Sequence, residues 1–197
     1  MKRVERATTR STLFSCAAAL SLMSSPSAVT QTTSPRPELI SQAYDDDCGL
    51  AALQMLFRST GIEITRDRLM ANLAGSARQG ALSASDLIDM TAGSGTRRNL
   101  LGGFASLSRL RSLAKTESFI ILMRPRSFGG ADGFDHSVVI QRALTAGFLA
   151  SDPLIAARTM LSEDLVRRDA HQKRVSGEPY VFVLRLVDGR GVAPSAF

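Results

Sequence analysis

The spacing of apolar residues changes once along this chain, near Lys115, and that change limits the fold more than any other feature. Before it, Leu50, Leu53, Met55, Leu56 and Phe57 recur at three-to-four spacing, and Gly61 follows where a helix would stop. A second short helix is expected from Thr65, carrying Leu69, Met70 and Leu73. A third is expected from Ser83, where Asp86 three residues on completes a capping-box pattern and Leu87, Ile88 and Met90 face inward. A fourth spans Leu107 to Ala114. After Lys115 the texture becomes short and continuous. Ser118 to Met123 reads as a buried strand, and His136 to Ile140 as another. Ala146-Gly147 turns into a strand from Phe148 to Ser151, which stops at Asp152-Pro153. A short helix around Ser162 to Arg168 and a last strand from Tyr180 to Val187 complete the pattern. Helices first and an antiparallel sheet second predict an α+β domain with a cleft between its halves.

The 197 residues suit one domain, and 44% apolar with 21% charged residues is an ordinary globular balance. The first 28 residues stand apart. Lys2, Arg3, Arg6 and Arg10 precede a short apolar run from Leu13 to Met23, followed by Ser24-Ser25-Pro26-Ser27-Ala28. Basic, apolar and small segments in that order read as a secretory signal peptide, expected to be cleaved near Ala28. The run falls short of the roughly 20 apolar residues of a membrane span. An uncleaved N-terminal anchor or a buried helix is the other reading. Most of the apolar run follows Cys16 instead of preceding it, which disfavours lipid attachment there. Residues 29–41 are rich in Thr, Ser and Pro and read as a linker, leaving 42–190 as the domain. The expected address is extracytoplasmic, periplasmic or secreted.

Removing residues 1–28 takes four basic residues and one acidic residue with it and lowers the net charge from +6 to +3. The remaining arginines are scattered and no basic cluster with interleaved aromatics is left, so nucleic acid is not an expected partner. Two histidines and two cysteines make a metal centre improbable. With Cys16 in the signal, Cys48 is the one cysteine of the mature chain. Such a cysteine is a buried thiol, an intermolecular bridge or a reactive nucleophile.

Its surroundings favour the nucleophile. Cys48 falls at a predicted helix start, behind Asp45-Asp46-Asp47, and acidic groups are favourable there. A helix N-terminus and a neighbouring imidazolium both favour the thiolate. His136 opens one strand and Asp152 closes the next, so the two side chains are expected to meet across the hairpin and orient the imidazole. Asp135 is the rival carboxylate, but adjacent strand residues point to opposite faces. Gln42, six residues before Cys48, supplies a neutral amide for an oxyanion, with the Cys48 backbone N–H as its partner donor. His171 sits in a polar run and is expected to be solvated. The glycines at 129, 130 and 133 read as a solvent loop.

Gln42-x5-Cys48, with Asp47-Cys48-Gly49-Leu50-Ala51-Ala52-Leu53, resembles the active-site opening of the double-glycine leader peptidases, a group of papain-like cysteine peptidases. The resemblance runs through Gly61-Ile62-Glu63-Ile64, Gln79-Gly80-Ala81-Leu82-Ser83, His136-Ser137-Val138-Val139-Ile140 and Ser151-Asp152-Pro153, covering about residues 40 to 170. It implies a papain-like fold in which Cys48, His136 and Asp152 form the catalytic triad and Gln42 the oxyanion site. It also implies cleavage after a Gly-Gly or Gly-Ala pair, with no metal or other cofactor. That family's domains are usually fused to a transporter and face the cytosol. This chain carries no nucleotide-binding motif and an export signal, so a nucleotide is not implied. The expected partners are a peptide or protein substrate and a secretion or surface-assembly machine. The alternative readings are a papain-like cell-wall amide hydrolase and a non-catalytic module that binds leader peptides.

Overall fold

The computed structural model describes residues 39–43, 47–73, 82–124 and 136–189. The signal-like segment, Gln79 to Ala81, the 128–134 stretch and Asp135 lie outside the described residues. The elements, in chain order, are α1 Cys48–Ser59, α2 Arg66–Met70, α3 Ala84–Ala92, β1 Arg98–Ser106, α4 Leu107–Leu113, β2 Phe119–Met123, β3 His136–Leu144, β4 Gly147–Asp152, β5 Ala157–Ser162, α5 Glu163–Asp169, β6 Gln172–Val175 and β7 Glu178–Asp188.

The four expected helices of the first half form, although α2 ends at Met70 and leaves the expected Leu73 outside it. Gly61 follows α1 with φ +75°, a conformation that suits glycine. At α3 the Ser83 hydroxyl accepts from the Asp86 N–H at 3.2 Å, and the Asp86 carboxylate accepts from the Ser83 N–H at 2.7 Å. Ile88 is half-buried, whereas Leu87 and Met90 are fully buried.

The strands make one antiparallel sheet in the order β1-β7-β2-β3-β4-β5, and β6 pairs with β7. Three strands go beyond the sequence expectation. In β1, Gly102 and Gly103 interrupt the apolar pattern, yet the strand pairs with β7 along its whole length. A Cβ at Gly102 would lie 2.8 Å from the Phe182 ring, which would have to shift to admit it. β5 and β6 have mostly exposed or half-buried residues and so no apolar alternation to read.

Helices cover both faces of the sheet. On one, Leu50, Leu53, Leu56 and Phe57 of α1 and Leu87 and Met90 of α3 pack on Leu100, Ile120, Leu122, Val139 and Leu184. On the other, Leu107, Leu110 and Leu113 of α4 and Val166 of α5 cover Phe119, Ile121, Val138, Ile140 and Val183. This explains the unbroken apolar run of β2, all five residues of which are buried. Gly147, at the β3–β4 hairpin, has φ +153°, and a Cβ would stand 2.1 Å from the Leu161 carbonyl oxygen. The hairpin that leads to Asp152 therefore requires glycine at its corner.

Candidate active site

α1, β3 and β4 bring Cys48, His136 and Asp152 together. Cys48 is the first residue of α1, whose opening backbone bond runs from the Ala51 N–H to the Asp47 carbonyl at 3.0 Å. Gly49 lies between α3 and β3, where a Cβ would meet the Leu87 methyls at 3.3 Å and the Ser137 hydroxyl at 3.6 Å. His136 is the first residue of β3 and Asp152 the last of β4. Val139 pairs with Ser151, so His136 and Asp152 are diagonal neighbours on one face of the sheet. The expected contact across the hairpin is present: His136 Nε2 lies 2.7 Å from Asp152 Oδ1.

Asp152 is wholly buried, and its Oδ1 also accepts from the Leu154 backbone N–H at 2.9 Å. Two donors converge on one oxygen and fix the carboxylate. With Nε2 engaged by the carboxylate, Nδ1 is the ring nitrogen left for Cys48. Burial pushes the His136 imidazole down, but hydrogen bonds with Asp152 and Cys48 and the charges of both outweigh it, raising its pKa to about 9. Burial likewise raises the Cys48 thiol. The His136 hydrogen bond, donors from the Ser137 backbone and hydroxyl, and the His136 charge outweigh that burial, and the thiol is lowered from its ordinary value. Both shifts favour the thiolate–imidazolium form of the pair.

Ser137 is a contributor that the sequence reading missed. Strand alternation sends it to the face opposite His136, towards α1. Because β3 begins at His136, the sulfur at the strand's end meets both residues. The motif His136-Ser137 held that signal. Arg66 was missed for a different reason. The Asp47 carboxylate makes no capping bond to α1; it forms a two-pronged ion pair with Arg66, one prong being Nη2 to Oδ1 at 2.8 Å. Nothing local links residues nineteen positions apart.

Gln42 is half-buried, and its backbone N–H donates to the Pro153 carbonyl at 3.0 Å, directly beyond Asp152. Its Oε1 is buried without a hydrogen-bond partner. The segment before α1 is thus fastened to the same turn that ends β4. His171 is exposed as expected, although its ring also packs edge-on against Phe182 with centroids 5.9 Å apart. Among the described residues no group of three or more His, Cys, Asp or Glu is placed to hold a metal ion.

No protein-family model and no curated protein matches the sequence. Solved structures do. The peptidase domain of Streptococcus ComA, a bi-functional ABC transporter involved in a quorum-sensing pathway, superposes with a TM-score of 0.58 at 16% identity, over 76% of this chain and 97% of that domain. A double-glycine motif protease from an AMS/PCAT transporter, solved in complex with the leader peptide, superposes with a TM-score of 0.53 at 17% identity, over 80% of this chain and 95% of that one. The fold is that of these double-glycine motif peptidase domains. Its N-terminal helices, with Cys48 at the head of α1, rest on an antiparallel sheet as in a papain-like peptidase.

Proposed function

We propose that the protein is an exported cysteine peptidase that cuts peptide chains after small residues, with Gly-Gly as the first sequence to test. One observation carries the reading: the 2.7 Å bond between His136 and Asp152, aligned on a thiol that His136 holds below its ordinary pKa. A structural cysteine has no need of an imidazole oriented by a buried carboxylate. The leader peptide bound by the AMS/PCAT relative supports a peptide as the ligand. The signal-like residues 1–28 support export.

In this reading His136 takes the Cys48 proton and the sulfur attacks the scissile carbonyl carbon. The carbonyl electron pair moves onto oxygen, where the Cys48 backbone N–H and the Gln42 side-chain amide receive it. Collapse breaks the C–N bond, and His136 passes its proton to the leaving amine. The thioester is then attacked by water, from which His136 takes a proton, and the acid leaves as the thiol is regenerated. Asp152 holds the imidazole throughout and stabilises its charged form. A small residue at the cut allows the backbone to approach the sulfur in a narrow cleft.

The test is mass spectrometry of Gly-Gly-containing peptides incubated with the protein and with Cys48→Ala. The reading predicts cleavage by the first and none by the second. Equal cleavage by both sinks the mechanism. Turnover of peptidoglycan without Gly-Gly cleavage shows a cell-wall amide hydrolase, and peptide binding without acylation shows a binding module.

A further inference from the structure

Among the described residues, four helices begin in the usual way. Thr65, Ser83, Ser106 and Ser162 have extended backbones, and each side chain accepts from the N–H three residues on. The residue before α1, Asp47, is of an equally good capping type and does otherwise. Its backbone sits at φ −90°, ψ 2°, and its side chain makes no capping bond. The carboxylate, 9% exposed, is turned to Arg66 and held through both oxygens.

The helix that departs from the rule is the one bearing Cys48. A carboxylate capping α1 would bond the Gly49 or Leu50 N–H, one or two residues from the sulfur. That would cancel the positive end of the helix and place a second negative charge beside the thiolate. We propose that Arg66 is a positioning residue for Cys48: it draws the Asp47 carboxylate away from the head of α1, so that the helix N-terminus serves the thiolate and the developing oxyanion. Arg66 acts through Asp47 and touches no reacting atom. The charged groups that bear on Cys48 are then His136 from β3, with Asp152 behind it on β4, and the neutralised Asp47–Arg66 pair. This inference rests on the cysteine-peptidase reading.

The test measures the rate of iodoacetamide labelling of Cys48 against pH in the full chain, together with kcat and KM for a Gly-Gly peptide. The variants are Arg66→Ala, Arg66→Lys and each of these combined with Asp47→Asn. With Arg66→Ala the released carboxylate raises the thiol by about one pH unit, so labelling in acid slows about tenfold. The loss of turnover falls on kcat more than on KM. Arg66→Lys keeps the charge but holds one oxygen at a time, and gives a smaller change in the same direction. Adding Asp47→Asn removes the released charge and restores labelling to within about threefold of wild type. Should Arg66→Ala fail to fold, the lysine pair carries the same comparison.

If the asparagine does not restore labelling, the pair is only structural and the proposal is overturned. Wild-type labelling in folded Arg66 variants overturns it equally. If wild-type Cys48 itself labels as an ordinary thiol, the peptidase reading falls first, and the two failures are told apart.

Discussion

Replacing Asp152 by Asn separates the charge of the carboxylate from its geometry. The acceptor Oδ1 takes bonds from His136 at 2.7 Å and from Leu154 at 2.9 Å, and an amide oxygen can accept both. The imidazole orientation is therefore kept while the negative charge is lost. In the native protein burial pushes His136 down, and the Asp152 and Cys48 interactions raise it to about 9. Without the Asp152 charge, burial regains weight and the imidazole falls towards its ordinary 6.5. At pH 7.5 a group with a pKa of about 9 is almost wholly protonated and one of 6.5 roughly one-tenth protonated, so about a tenfold fall in the imidazolium that pairs with the thiolate is expected. The same fall is predicted for kcat/KM at pH 7.5. The direct assay is a proton NMR titration of the imidazole resonances. The chain has only two histidines, and His136→Ala assigns them. Oδ2 of Asp152 is buried without a partner, so an amide NH2 placed there leaves its donors unsatisfied at a cost of about 1–3 kcal/mol. A melting curve read alongside keeps this loss of stability distinct from the titration. A folded Asp152→Asn protein whose His136 still titrates near 9 would refute the role given to the carboxylate.

Two further outcomes follow from the same structure. Gly147→Ala forces a Cβ to 2.1 Å from the Leu161 carbonyl at φ +153°; it should cost at least ~2 kcal/mol and lower Tm by about 4–8 °C in a thermal melt. Stability should also follow pH through His136. Its folded pKa lies above the unfolded 6.5, so its contribution is complete below 6.5 and is lost as pH rises through about 9. Urea unfolding at pH 6.5 and pH 9.5 should show that decline, and His136→Ala should flatten it.

Much of the site could be read from the chain because its parts sit at ends of strongly patterned elements. The stripe from Leu50 to Phe57 fixes where α1 begins, and that puts Cys48 at its head. The apolar runs on either side of Ala146-Gly147 make a hairpin, and a hairpin places His136 and Asp152 on one face. β1 was hidden because Gly102 and Gly103 weaken its pattern, and what holds it is pairing to β7, just over eighty positions away at Gly102 and Leu184. β5 and β6 were hidden because most of their residues are exposed or half-buried and show no apolar alternation. The acidic run before Cys48 was read for its charge at a helix end, whereas the Asp47 side chain is committed to Arg66. Helix propensity and local charge rules see neighbours in sequence; they do not see a guanidinium brought in by α2.

The central claim is that Cys48 and His136 form a thiolate–imidazolium pair. The most direct test is the rate of iodoacetamide labelling of Cys48 against pH, in wild type and in His136→Ala. The account predicts fast labelling in wild type, with an apparent pKa well below ~8.5, the value of a free cysteine, and loss of that low value in the variant. Labelling in both that titrates like a free cysteine, or an inert thiol in both, would contradict it.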